Sequence, residues 1–274
     1  MYLNGSFSMK LIPGSYSSHH QQLILLAPGN ARIPKRFRNV AIDPSRHGEI
    51  LADMQKMRGR IYLDDGAIAR WQLGPDDRHC SPVDSESWHL LTLDDRGRVS
   101  GCVRYREHRN TTGFRDLGLK ESALASCNRW GTKLEAAVES DLATARQLAI
   151  SFVEVGGWAL AKERRCTGEA LRTALATYSL AEILGGCVGI ATATVRHSSA
   201  SILRRIGGQS LEFRGEALPP YYDPQYNCEM EIVRFKSDAP NRKYRRWIEQ
   251  ISASLLDVPV LSLPACGALA TASW

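Results

Sequence analysis

The apolar positions in the first half of the chain predict a helix followed by a β-hairpin. Residues 46–57 carry apolar side chains at helical spacing, and an extended segment is predicted at 60–63. Residues 89–93 and 99–105 alternate as paired strands do, on either side of the turn sequence Asp-Asp-Arg-Gly-Arg at 94–98. This region therefore predicts one helix and two antiparallel strands.

The second half of the chain alternates helical and strand patterns. In order, these are a helix at 133–150, a strand at 151–155, a helix at 171–184, a strand at 187–195, a short helix at 198–206, and strands at 210–213 and 228–235. Helices that alternate with strands after a hairpin predict an α/β (α+β) fold, in which helices flank a mixed central sheet.

The two ends of the chain differ in composition from the middle. Residues 1–45 are rich in Ser, Gly, Pro, Asn and Gln and predict an N-terminal extension. Residues 46–236 hold the predicted domain. Residues 237–274 predict a basic C-terminal helix and tail, with Arg242, Lys243, Arg245 and Arg246 close together.

Composition narrows the classes of function. The net charge of +6 favours an acidic partner, but no nucleic-acid-binding motif accompanies it, so no nucleic acid is expected. The seven cysteines and seven histidines lack metal-ligand spacing, which predicts no metal and reduced thiols, as in a cytoplasmic protein. No apolar run has the length of a membrane span, and no signal-peptide pattern is present at the N-terminus.

The strand at 151–155 leads into the most informative motif of the chain. Gly156 and Gly157 predict a bulge, or a place where a ligand approaches bare backbone. Arg165, Gly168 and Ala170 then follow as R-x-x-G-x-A directly before the helix at 171–184. An ordinary strand-to-helix turn with a solvated arginine is the structural alternative.

The start of that helix has the chemistry of a phosphate site. Thr167 can cap the helix, whose first amide groups lack intrahelical partners. Gly168 and Ala170 are small enough to let a pyrophosphate approach these amides, and Arg165 can add a charge-assisted contact.

This motif resembles the pyrophosphate loop of the GCN5-related N-acetyltransferase superfamily. The resemblance implies a central sheet that is splayed at the acyl-donor strand, with no permanently bound cofactor and an acyl-thioester donor as co-substrate. The donor-binding residues that it implies are Gly156, Gly157, Trp158, Arg165, Thr167, Gly168 and Ala170. The tyrosine that often serves as general acid in this superfamily is replaced by Leu203.

Residues 58–235 resemble two groups within that superfamily, the acyl-homoserine-lactone autoinducer synthases and the long-chain N-acyl amino acid synthases. The positions that match the first group are Arg60, Trp71, Asp84, Arg104 and Glu154. However, Gly157 stands where the autoinducer synthases have the arginine of E-x-x-R, which argues against that group. His197 and the segment 220–230 resemble the N-acyl amino acid synthases.

The resemblance implies transfer of a medium or long acyl chain from acyl carrier protein or acyl-CoA to the amine of an amino acid. Glu154 is the implied general base, with a pKa that burial would raise; a structural carboxylate paired with Arg104 is the alternative. Arg104, His197 and Ser199 are implied in substrate binding, and the bulge in polarising the thioester. The basic residues 242–246 would suit docking of the acidic carrier protein.

Two other functions stay open at the level of sequence. One is an autoinducer synthase that uses S-adenosylmethionine, and the other is a non-catalytic sensor that binds acyl thioesters. The oligomeric state, the acyl length and the acceptor amino acid are not determined by the sequence.

Overall fold

The computed structural model describes residues 22–29, 31–74 and 76–264. The helices are α1 (Pro44–Asp64), α2 (Gly131–Gln147), α3 (Glu169–Ile183), α4 (Ser199–Ile206) and α5 (Arg245–Leu255). The strands are β1 (Gln22–Leu26), β2 (Val40–Ile42), β3 (Trp88–Leu93), β4 (Val99–His108), β5 (Ser151–Leu160), β6 (Cys187–Thr194), β7 (Gln209–Ser210), β8 (Glu212–Phe213), β9 (Glu216–Ala217), β10 (Tyr221–Asp223), β11 (Cys228–Lys236) and β12 (Val260–Ser262).

A central mixed sheet confirms the predicted fold class. Over the described residues the strand order is β10-β11-β6-β5-β4-β3-β1-β12-β2, with β7 paired to β11 and β8 and β9 forming a separate hairpin. Helices α1 and α2 cover one face, where Met54 and Leu142 belong to buried apolar clusters. Helices α3, α4 and α5 cover the other, where Leu175 and Ile248 are buried. We call these the α1 face and the α3 face.

The sheet is splayed where the donor motif predicted it. Strands β5 and β6 run parallel and pair from Ser151 with Cys187 as far as Val155 with Ala191. Beyond that point β5 continues along β4, whereas β6 continues along β11 to Thr194. A gap therefore opens between two neighbouring strands in the middle of the sheet.

The bulge predicted at Gly156 and Gly157 lies one residue further along, at Gly157 and Trp158, near the start of this gap. Arg104 lies opposite Gly156, and Cys102 lies opposite Ala159, so two residues of β5 face one residue of β4. Gly157 has a φ of 62°, a left-handed conformation that glycine adopts without the steric cost of a side chain.

Residues 60–63 were predicted as extended, and this prediction is wrong. They form part of the last two turns of α1, because the apolar spacing of Ile50, Met54 and Met57 continues to Ile61. The aromatic and β-branched residues in this segment favour strands, but packing against the sheet stabilises the helix instead.

Both ends of the chain contribute strands to the sheet. Strand β1, within the predicted extension, pairs with β3, and β12, within the predicted tail, lies between β1 and β2. Leu25, Leu26 and Val260 are fully buried. The pattern missed these strands because they are short and their partners are distant in sequence.

Candidate active site

The gap between β5 and β6 joins two chemically different regions. On the α1 face lies a cluster of ionic and aromatic side chains, which is enclosed by α1, β4 and the turn before β3. On the α3 face, the gap leads to an apolar cavity between the sheet and α3 and α4. The bulge at Gly157 and Trp158 lies between them.

Arg58, Asp84 and Arg104 form a buried ionic cluster on the α1 face. Arg58 donates to both carboxylate oxygens of Asp84, at 3.1 and 2.7 Å, and both side chains are 2% exposed. Arg104 donates to Ser81 Oγ at 3.1 Å and lies 3.6 Å from Asp84. Gln55 and the amide of Ser81 complete the shell around Asp84, each at 3.0 Å.

The cluster carries more positive than negative charge. Burial alone would raise the pKa of Asp84, but the hydrogen bonds and charge of Arg58 hold it well below its usual range. Asp84 is therefore ionised and balances one of the two guanidinium groups. Arg104, with 22% of its side chain exposed, is the arginine that a ligand can reach.

Two neutral histidines border the cluster. His89 Nε2 donates to the carbonyl of Asp84 at 2.8 Å, and burial lowers the pKa of His89 to about 4. Burial and the charge of Arg58 lower the pKa of His79 to about 4. Among the described residues, the buried atoms without a hydrogen-bond partner include Nδ1 of both histidines and Nε of both arginines. Unpaired polar atoms in a buried cluster are consistent with a site for a polar ligand.

The sequence pointed to Asp84 and Arg104 of this cluster but to Arg60 instead of Arg58. Arg60, the predicted match, is exposed on α1, whereas Arg58 points to the sheet two residues earlier. Trp71 is 83% exposed and does not reach the cluster. A helical interpretation of 54–61 would have found Arg58, which lies one turn after buried Met54.

Glu154 lies on the α1 face, held by three donors. It accepts from His108 Nε2 at 2.9 Å and from the amides of Gly118 and Leu119 at 3.2 and 3.1 Å. Arg106 lies 3.8 Å away. Burial would raise its pKa, but these hydrogen bonds outweigh burial and lower it. The predicted rise in pKa is thus wrong, and the predicted pairing with Arg104 is replaced by contacts with His108 and Arg106.

The predicted donor segment before α3 is open, but its arginine is engaged and the N-cap position of α3 is Gly168. Thr167 Oγ1 accepts from the amide of Glu169 at 3.2 Å, at the start of α3. A side chain on Gly168 would meet no atom within 4 Å, so the loop is open. Arg165, in contrast, donates to both carboxylate oxygens of Asp65 at 2.8 and 2.7 Å. Its charge is therefore paired with a carboxylate directly after α1, although 30% of its side chain is exposed.

The remaining predicted site residues lie around the gap. Trp158 belongs to the bulge and packs on the α3 face, with its indole nitrogen buried and without a partner among the described residues. Leu203 lines the apolar cavity, so no acidic hydroxyl occupies that position. His197 is exposed in a left-handed turn with a φ of 66°, and Ser199 lies 3.4 Å from Thr194 at the start of α4.

No family model and no curated protein matches the chain, but solved structures do. A CoA-dependent acyl-homoserine lactone synthase, BjaI, with SAM and isopentyl-CoA, shares 14% identity and a TM-score of 0.51 over 89% of this chain and 93% of that one. A second CoA-dependent acyl-homoserine lactone synthase, MesI, shares 12% identity and a TM-score of 0.50 over 85% of this chain and 95% of that one.

FeeM, an N-acyl amino acid synthase from uncultured soil microbes, matches with 11% identity and a TM-score of 0.43 over 80% of this chain and 93% of that one. None of the described helices is long and apolar enough to cross a membrane. At these identities the likeness concerns the backbone alone. The chain therefore has the fold of the acyl-homoserine lactone synthases BjaI and MesI.

Proposed function

We propose that the protein is an N-acyltransferase that moves an acyl group from a thioester to the amine of an acceptor that carries a carboxylate. Acyl-CoA or acyl carrier protein would supply the thioester, and an amino acid is the simplest acceptor. The observation that carries this proposal is the bulge in the gap of the sheet, with an apolar cavity on one face and a positively charged cluster on the other.

The gap provides a place for the donor. Beyond Val155 the edge of β5 that faces β6 has no strand partner among the described residues, so its backbone can bind an extended pantetheine arm. An acyl chain would enter the apolar cavity, and amide groups near the bulge would polarise the thioester oxygen. Trp158, Thr167, Gly168 and Ala170 are the proposed neighbours of the donor, and Arg165 would act beside Asp65.

The ionic cluster provides a place for the acceptor. Arg104 has one fixed partner, Ser81, and the cluster has an excess positive charge. A carboxylate bound there would be neutralised by a charge-assisted hydrogen bond, and its α-amine would lie near the bulge. His197 and Ser199 are proposed at the rim of this site.

The role of Glu154 follows from its hydrogen bonds. A carboxylate with three donors and a lowered pKa is a weak base, so we propose that Glu154 positions the segment at Gly118 and Leu119 and holds a negative charge near the amine. A proton lost by the attacking amine would then pass to solvent. Direct proton removal by Glu154 is the second form of the proposal, and mutation separates the two.

The basic surface of the C-terminal region would suit a carrier protein. Arg245 contacts Glu182 at 3.0 Å, whereas Arg242, Lys243 and Arg246 are exposed. Exposed positive charges raise the association rate with an acidic partner. A cytoplasmic location, where such donors are made, agrees with the unpaired cysteines described.

A direct assay tests the proposal. The purified protein is incubated with acyl-CoA or acyl carrier protein thioesters and with amino acids, while thiol release and product mass are measured. Thiol release that requires an amino acid and yields an N-acyl product supports the proposal. Release that requires S-adenosylmethionine indicates an autoinducer synthase, and donor binding without release on any amine indicates a sensor.

A further inference from the structure

We propose, on the basis of the acyl transfer proposed above, that the buried thiol of Cys102 is a positioning residue for the reaction. It holds the peptide group between Gly157 and Trp158 in the orientation in which the Trp158 amide donates a hydrogen bond to the thioester oxygen. Cys102 itself contacts neither the donor nor the acceptor. The inference comes from one hydrogen bond at the bulge and from the planarity of the peptide group.

The Cys102 thiol connects β4 to the bulge of β5. It donates to the carbonyl oxygen of Gly157 at 3.1 Å. Cys102 is 1% exposed, and burial raises the pKa of its thiol to about 11, so the thiol keeps its proton at neutral pH and can donate. The regular pairing of β4 with β5 is interrupted at Gly157 and Trp158, and the thiol provides a donor for the carbonyl at this interruption.

The direction of the Trp158 amide follows from that of the Gly157 carbonyl. No cis peptide bond occurs among the described residues, and in a trans peptide group the C=O and N–H bonds point in opposite directions. The Gly157 carbonyl points to Cys102 on β4, so the Trp158 N–H points to the other side of β5. Because β6 pairs with β5 only as far as Val155, that side is the gap.

Gly157 makes this orientation possible but does not hold it. Its φ of 62° lies in the left-handed region, and a glycine peptide can also rotate to other orientations because no side chain restricts it. A Cβ atom on Gly157 would lie 3.3 Å from both Arg104 Cβ and Arg58 Nη1, so the ionic cluster crowds any larger residue at this position. The restraint on the peptide group therefore comes from the Cys102 thiol.

An amide held at this place acts on the charge that develops during acyl transfer. When the acceptor amine attacks, a C–N bond forms and the π electron pair of the thioester carbonyl moves to its oxygen. The Trp158 N–H donates to this oxygen until the C–S bond breaks. The thiolate then leaves and takes a proton from solvent, and the amine loses its proton to solvent. A donor that is oriented before the reaction needs no reorganisation during it.

Kinetic constants test the role of the thiol. We measure kcat and KM with octanoyl-CoA and a fixed amino acid for the wild type, Cys102→Ala and Cys102→Ser. Loss of a whole oxyanion donor lowers kcat by about 10²–10³-fold, so we expect a misoriented one in Cys102→Ala to lower it by about ten- to hundred-fold, with KM within about three-fold. Cys102→Ser should restore kcat to within about five-fold of the wild type, because its hydroxyl can also donate.

The matched control is Cys187→Ala. Cys187 is also fully buried, but it pairs with Ser151, about 13 Å along the strands from the last pair, Val155 with Ala191. This variant should leave kcat and KM unchanged. If Cys102→Ala does not fold, Cys102→Val, which fills the site without a donor, replaces it. A wild-type kcat in Cys102→Ala, or an equally low kcat in Cys102→Ser, would overturn the inference.

A binding measurement separates this inference from the proposed function. The Trp158 amide proton of the wild type is followed by NMR while octanoyl-CoA, or the thioether S-octyl-CoA that lacks the carbonyl, is added without an acceptor. We expect a larger downfield shift with the thioester, and this result supports the role of the amide even if no N-acyl product is formed. Equal shifts with the two compounds would overturn the inference, whether or not a product is formed.

Discussion

At the scale of single residues, the candidate site contains two positively charged side chains and one negatively charged side chain. Arg58 and Asp84 neutralise each other at 2.7 Å, with Gln55 and a backbone amide completing the shell around the carboxylate. Arg104 is left with a hydroxyl as its nearest partner. Under the proposed function, the carboxylate of the acceptor would offset the cost of keeping this guanidinium partly desolvated.

Arg104→Gln should weaken binding of the acceptor. We expect the KM for an amino acid to rise at least ten-fold, which corresponds to about 1.4 kcal/mol, with a smaller change in kcat. The matched control is Arg98→Gln, in the exposed hairpin turn, which should leave KM unchanged. If the variant and the wild type discriminate equally between an amino acid and its methyl ester, Arg104 does not bind the carboxylate.

Glu154→Gln should lower stability more than activity. The pKa of Glu154 in the folded protein lies below its usual value. The ionised carboxylate therefore stabilises the fold fully above about pH 4.5, and this contribution is lost as the pH falls through the folded pKa. We expect a loss of about 1–3 kcal/mol in the free energy of unfolding at pH 7 that shrinks below pH 4.5. Urea denaturation at several pH values measures it.

The same variant decides whether Glu154 removes the proton. A positioning role predicts a decrease in kcat of less than about a hundred-fold, with an unchanged pH profile. A decrease of about two to four orders of magnitude, together with the loss of an acidic limb of the profile, would instead establish Glu154 as the general base.

At the scale of elements, the bulge in β5 decides where the site can form. It places two residues of β5 opposite one residue of β4, shortly after the point at which β5 and β6 diverge. Gly157 there approaches the cluster: a Cβ atom would lie 3.3 Å from both Arg104 Cβ and Arg58 Nη1. The backbone conformation and the ionic cluster therefore depend on the same glycine.

Gly157→Ala should strain the bulge and displace the arginines. We expect a loss of about 1–3 kcal/mol in the free energy of unfolding, because the left-handed φ disfavours a side chain, and a lower rate of acyl transfer. Gly48→Ala, at an exposed position of α1 with no atom within 4 Å, is the control and should stabilise by about 0.5–1 kcal/mol. Equal stability and activity of the two variants would contradict the proposed role of the bulge.

At the scale of the whole molecule, the two ends of the chain hold one side of the sheet together. Strand β12 lies between β1 and β2, parallel to both, although β1 and β12 are more than two hundred residues apart. Helix α5, which precedes β12, packs on α3, where Ser179 donates to the carbonyl of Ile248 at 3.0 Å. Helix α3 is therefore held in place by the C-terminal region.

Val260→Ala should destabilise the whole protein. Val260 is 0% exposed, so the variant should lose about 2 kcal/mol through a cavity in the core. Val40→Ala, on the neighbouring edge strand and 42% exposed, should change the free energy of unfolding by no more than about 0.5 kcal/mol. A single cooperative melting transition in both variants is expected, and a similar Tm for the two would mean that β12 is dispensable.

The sequence by itself determined the features that depend on neighbouring residues. Apolar spacing located the hairpin, strand β5 and helix α3 after it, and the glycine pair indicated the bulge to within one residue. Propensity and periodicity act over a few residues, so a single chain carries these signals in full. Asp84 and Arg104 were found through resemblance, because each lies next to a strand that the pattern had located.

Only the tertiary structure decided the contacts between distant segments. Arg58 and Asp84 are 26 residues apart, and Arg165 and Asp65 are 100 residues apart. The pKa of a carboxylate depends on its hydrogen-bond donors, which are the guanidinium of Arg58 for Asp84 and an imidazole with two backbone amides for Glu154. No local pattern in the sequence specifies these donors. The same holds for β1 and β12, and for the ring of Phe235 on Gly189, because burial and close packing arise only when the whole chain is folded.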